Sequence, residues 1–140
     1  MTKIDKPYIK GRVKDWLQRL AALYSFVERT LENSENIECK STNHMTMYEE
    51  LMQKSDVEPE RVPILDIYKN KTVIASFKPV GLWVVGANGR VDILTKSGAF
   101  ILVDVADKGK KSDWKVYTPR NRRKGTDFDV TFIEELVKNQ

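Results

Sequence analysis

Between Val62 and Tyr117 the chain repeats one pattern: a short run rich in β-branched and aromatic residues, then a cluster that favours a tight turn. Alternation at this spacing specifies an antiparallel sheet of neighbouring strands. The runs fall at residues 64–68, 72–77, 82–86, 90–95, 99–105 and 114–118. Turn signals at 69–71, 78–81, 87–89 and 96–98 separate the first five. Asn88-Gly89 is the strongest of these, because both residues tolerate positive φ and the pair sits between apolar runs. Leu82-Trp-Val-Val85 and Phe100-Ile-Leu-Val103 are apolar at every position, which predicts central strands covered on both faces.

The preceding segment has a different period. Val13, Leu17, Leu20, Tyr24, Val27 and Leu31 are spaced alternately by four and three residues, and Trp16 and Leu23 widen the stripe. This is a helix with one apolar face. It starts near Asp5-Lys6-Pro7, where Asp can cap and Pro is tolerated in the first turn, and fades at Glu32-Asn33-Ser34. The stripe can pack on the chain's own sheet or on the same helix of a second copy. Val13, Leu17, Leu20, Tyr24, Val27 and Leu31 are therefore the candidate homodimer interface.

Residues 37–42 alternate weakly, as a strand or an extended connector, and residues 45–54 read as a short helix with Met45, Tyr48, Leu51 and Met52 on one face. Pro59 and Pro63 mark a linker. A last helix, starting at Asp129 or Thr131 and ending at Lys138, offers Phe132, Ile133, Leu136 and Val137 for docking. The expected fold is α+β. An antiparallel meander of five or six strands is joined by a long N-terminal helix, a short second helix and a C-terminal helix. It is one domain over 1–140, with a helical layer at 1–56, a proline-containing linker at 57–63 and the sheet plus terminal helix at 64–140.

With 140 residues, 41% of them hydrophobic, the chain can form one core. Its longest apolar run is far below the roughly 20 residues that span a bilayer, and its start lacks a leader pattern. The expectation is a soluble, cytoplasmic protein with no membrane partner. Cys39 is the single cysteine and cannot form an internal disulfide. His44, the single histidine, lies five residues on, with no further Cys or His to complete a zinc set. Gly81, Gly86 and Gly89 lack the spacing of a phosphate loop. Glu49 and Glu50 are adjacent on a helix and point in different directions.

Charge is segregated along the chain. Residues 108–124 hold eight Lys or Arg against one Asp, whereas residues 32–60 hold eight acidic side chains against Lys40 and Lys54. In the basic stretch, Lys110, Lys111, Lys115, Arg120, Arg122, Arg123 and Lys124 are interleaved with Trp114 and Tyr117. Cations neutralise phosphates and exposed aromatics stack on unpaired bases, so these nine residues are the candidate contacts to nucleic acid or to an acidic protein partner. The competing expectation has Trp114 and Tyr117 pointing inward from a strand while the cations face solvent or the acidic segment.

One pattern carries a different chemistry. Gly89-Arg-Val-Asp92-Ile-Leu is followed, with eleven residues between Asp92 and Asp104, by Val-Asp104-Val-Ala-Asp107-Lys108. This resembles the core of the restriction-endonuclease-like nucleases. The resemblance implies that Asp92 and Asp104 hold magnesium or manganese while a lysine helps position the attacking water. The chain departs from the pattern two residues after Asp104, where Ala106 replaces the expected lysine and Lys108 would have to substitute. Turn register decides whether the carboxylates cooperate. A two-residue loop at Ser97-Gly98 places them on opposite faces, and a three-residue loop makes them diagonal neighbours.

The function expected from the sequence is non-catalytic binding or assembly without a cofactor, through the basic loop and in a homo-oligomer. The alternative is a metal-dependent nuclease, active or degenerate.

Overall fold

The computed structural model describes residues 4–140. Its elements are α1 (Lys6–Leu31), β1 (Ile37–Met47), α2 (Glu50–Lys54), β2 (Glu60–Lys69), β3 (Thr72–Gly81), β4 (Arg90–Thr95), β5 (Gly98–Asp104), β6 (Trp114–Thr118), β7 (Asn121–Asp127) and α3 (Val130–Lys138). The fold is α+β, and the seven strands form a single antiparallel sheet in sequence order from β1 to β7. Seven strands replace the expected five or six, and the differences arise at both edges and in the middle.

α1 begins where expected. The Asp5 side chain accepts a hydrogen bond from the Tyr8 amide at 3.1 Å, and Pro7 occupies the first turn. Ile9, Val13, Trp16, Leu20, Leu23, Tyr24, Val27 and Leu31 are all buried. They meet the inward residues of the strands, among them Leu65, Ile67, Ala75, Phe77, Val91, Ile93, Leu102 and Val116, in one hydrophobic core. Burying one such large side chain stabilises the fold by about 1.5–3 kcal/mol. α3 is capped by Asp129, which accepts from the Phe132 amide at 2.9 Å, and adds Ile133, Leu136 and Val137 to the core. Its C-terminal carbonyls are tied to the sheet by Lys69, whose ammonium donates to Val137 O at 3.1 Å and to Gln140 O at 3.3 Å. That placement suits the negative end of a helix dipole.

Four expectations need correction. The supposed helical layer at 1–56 contains β1, eleven residues long and paired to β2 along most of its length. The proline linker is shorter than 57–63, since β2 starts at Glu60 and includes Pro63. The short helix reaches only from Glu50 to Lys54. Leu82–Val85 is not a strand: Leu82 is buried, Val85 is wholly exposed, and one isolated bridge joins Val84 to Ala87. The Glu49 carboxylate accepts from the Leu82 and Trp83 amides at 3.0 and 3.2 Å, so a side chain supplies what a ladder would have.

Asn88-Gly89 is likewise not a tight turn between two strands. The Asn88 amide donates to Asp104 O at 2.7 Å and the Asp104 amide donates to Gly89 O at 3.1 Å, extending the β4–β5 ladder. Gly89 has φ +125° and lies so close to the Trp16 ring that a Cβ would overlap it. Among the described residues no helix is long and apolar enough to cross a membrane.

Candidate polyanion interface

The densest cationic run is not a loop. Thr118 pairs with Asn121, so Pro119 and Arg120 form a two-residue connection and Arg122, Arg123 and Lys124 lie on β7. No apolar residue occurs in Asn-Arg-Arg-Lys-Gly-Thr-Asp, yet the chain extends there because β7 is the sheet edge and needs no buried side chain of its own. Thr118 Oγ1 accepts from the Asn121 amide at 3.1 Å, and Asn121 Oδ1 accepts from the Arg123 and Lys124 amides at 3.1 and 3.2 Å. These bonds hold the turn. Arg120, Arg122, Arg123 and Lys124 are exposed and, among the described residues, take part in no ion pair.

Strand alternation divides the nine candidate contacts. Trp114 is opposite the buried Asp104, faces the helix side and packs on Trp16 with ring centroids 6.2 Å apart. The inward expectation holds for this residue. Tyr117 is opposite Ile101 and faces outward, its ring over Gly125 of β7. Arg122 joins Tyr117, Ile101, Val103, Val85 and Val105 around a shallow hollow of about 280 Å³. Lys115 also faces outward, paired with Asp127 and, at 3.6 Å, with Asp113. The hydrogen bond to Asp127 is the main reason its pKa is raised. Lys110 and Lys111 belong to the 105–113 connection and line a different groove, on the α1 side.

The acidic segment leaves the hairpin cations unneutralised. It forms β1, α2 and the start of β2, at the opposite edge of the sheet order from β7. Its ion pairs are internal, Glu38 with Lys40 and Glu50 with Lys54, and Glu49 is engaged by the 82–83 amides.

Asp92 and Asp104 do not form a shared metal site. The β4–β5 connection is the two-residue Lys96-Ser97, a register different from both considered from sequence, and Asp92 pairs with Ile101. Asp104, three residues beyond Ile101, is therefore on the other face. Asp92 is held by Arg90 at 2.8 and 3.1 Å on the outer side. Lys108 is engaged elsewhere, donating to the Tyr8 hydroxyl at 2.5 Å.

Asp104 instead forms the most polar point of the interior. Its Oδ2 accepts from Arg19 Nη1 at 2.9 Å, and its Oδ1 accepts from the amides of Ala106 and Asp113 at 3.1 and 2.9 Å. The same Arg19 Nη1 donates to Asn88 O at 2.6 Å, and Nε donates to Asp15 at 2.8 Å. One carboxylate thus anchors both ends of the 105–113 connection to α1. Sequence reasoning missed this pair. A signal was present, since Arg19 lies three residues after Trp16 and four before Leu23, inside the widened apolar stripe.

The proposed dimer stripe is consumed within the chain. Val13, Leu20, Tyr24, Val27 and Leu31 are 0–5% exposed against the chain's own sheet, so they are not free to pair with a second copy. Leu17 alone is half-buried, beside Lys14 and Glu60. Cys39 is also half-buried, and desolvation followed by the nearby Glu28 pushes its thiol up to about 11, away from the reactive range.

No protein-family model, curated protein or solved structure shows a significant match to this chain.

Proposed function

We propose that this protein binds single-stranded nucleic acid without catalysis, using the β6–β7 hairpin and the adjoining outer face of β5 and β6. The observation that carries this reading is the set of four exposed cations on an edge hairpin, Arg120, Arg122, Arg123 and Lys124, which form no ion pair among the described residues. Their charge suits phosphates. Beside Arg122, Tyr117 with Ile101 and Val103 offers an apolar outward surface. Unpaired bases expose faces that can lie on such a surface, whereas a duplex hides them, which favours single strands.

A charged edge strand has a second use, because lysine and arginine on a sheet edge prevent pairing with other chains. Fluorescence anisotropy separates the two. Labelled single- and double-stranded oligonucleotides are titrated at about 50 and 200 mM salt. The expected result is salt-dependent binding that favours the single strand. Replacing Arg120, Arg122 and Arg123 by Ala should flatten the log–log salt slope by about 2, from roughly 0.7 per phosphate contact. Tyr117→Ala should weaken binding while leaving that slope unchanged. Absence of binding at the lower salt, or an unchanged slope in the triple variant, overturns the reading and leaves edge protection as the role of these cations.

A further inference from the structure

A groove of about 870 Å³ lies on the other side of the sheet, between α1 and the 105–113 connection. One wall is the helix face carrying Asp15, Arg19, Ala22, Phe26 and Arg29, residues spaced by three and four. The opposite wall is Lys110, Lys111, Ser112 and Trp114, and Phe128 closes the floor near Phe26 with ring centroids 6.1 Å apart.

Two polar groups at this groove are buried without a hydrogen-bond partner among the described residues, Arg19 Nη2 and Ser112 Oγ. The Arg19 side chain is 9% exposed, and its Nε and Nη1 are fully engaged, so its geometry is fixed while one nitrogen is left to donate. An unsatisfied buried donor of this kind is costly, and a ligand oxygen would offset that cost.

The charges sort in one direction. Each lining carboxylate is already paired, Asp15 with Arg19, and Asp113 and Asp127 with Lys115. Arg29, Lys110 and Lys111 have no ion pair among the described residues. The unbalanced charge in the groove is therefore cationic, next to aromatic walls.

We infer that this groove binds a small aromatic oxyanion. Its phosphate oxygens accept from Arg19 Nη2, Ser112 Oγ and Lys110 or Lys111, and its ring lies between Phe26 and Trp114. A cleft of this size that joins aromatic walls to convergent polar groups can take a small molecule. The inference is independent of the nucleic-acid reading, because the hairpin cations are not among the groove's lining residues.

The test titrates the full-length protein with phenyl phosphate, phenol and inorganic phosphate, following the backbone amide resonances of residues 109–114. Phenyl phosphate should bind saturably and more tightly than either fragment. Ser112→Ala should weaken it about tenfold, the equivalent of one lost hydrogen bond to a charged group. Ala22 is exposed on α1, so Ala22→Trp should fill the groove and abolish binding with the fold intact. Replacing Arg120, Arg122 and Arg123 by Ala should change nothing. No saturable binding up to about 10 mM, far weaker than a millimolar site, overturns the proposal. So does inorganic phosphate binding as tightly as phenyl phosphate, or unchanged binding in Ala22→Trp.

Discussion

Arg19 and Asp104 form an ion pair at 2.9 Å across 85 residues of sequence, with the carboxylate wholly buried and the guanidinium nearly so. Every oxygen of that carboxylate has a donor, and two of the donors are backbone amides. The pair is therefore a joint between helix and connecting segment more than a source of net stability, since burying two charges largely offsets their attraction.

Removing one partner is another matter. Asp104→Ala leaves a buried cation and two unpaired amides, and should destabilise the protein by about 3–5 kcal/mol. Asp104→Asn keeps one acceptor oxygen and should cost about 1–3 kcal/mol. Urea unfolding of both variants reads the difference. Equal losses, or a loss below about 1 kcal/mol for Ala, would show that the joint carries no such role.

Two leucines one turn apart on α1 should behave differently. Leu20 is fully buried, so Leu20→Ala should cost about 2–5 kcal/mol in the urea midpoint analysis. Leu17 is half-buried beside Lys14 and Glu60, and Leu17→Ala should cost about 1 kcal/mol or less. Sedimentation should be the same for both variants and the parent, because the stripe packs inside one chain. A change of mass on Leu17→Ala would restore the two-copy helix pair.

High pH should weaken the fold through two acids that burial keeps protonated. The Cys39 thiol is raised from an ordinary value near 9 to about 11, and the Tyr24 phenol is raised further by burial, with Asp66 adding to it. For each, the folded value exceeds the unfolded one. The stabilising contribution is complete below the unfolded pKa and is lost as pH rises through the folded one. Stability should be flat from about pH 7 to 9 and fall above that. Iodoacetamide labelling of the folded protein should climb with pH toward 11; a plateau near 9 would contradict the burial of the thiol.

How much of this was legible depended on whether a segment had to bury side chains. α1 announced itself because eight large apolar residues must face the sheet, and a 3.6 period is the only way to align them. β1 showed only as a weak alternation over 37–42 and β7 not at all, because edge strands pair on one side only and carry Ser41-Thr-Asn-His44 and Arg122-Arg-Lys124 without penalty. Leu82–Val85 misled in the opposite sense. Its apolarity comes from one buried leucine and a valine left in solvent, and Glu49 of a distant segment bends it out of the sheet. The α1 groove was not legible at all, since it joins Arg19 to Ser112 and exists only once the 105–113 connection is anchored.

That anchoring also constrains time. Each strand of the meander pairs with its neighbour in sequence, so the sheet can grow by short closures. α1 cannot share in this. It leaves the ribosome before the strands, but Asp104 and Asn88, which fix Arg19, are made much later. Tyr24 can reach Pro63 O and Phe77 O once β2 and β3 exist, but Arg19 must wait without its partner until the fifth strand is made. Closing that long loop is the slow event that the topology predicts, and a nascent chain stalled before Asp104 is the form most exposed to chaperones and proteases.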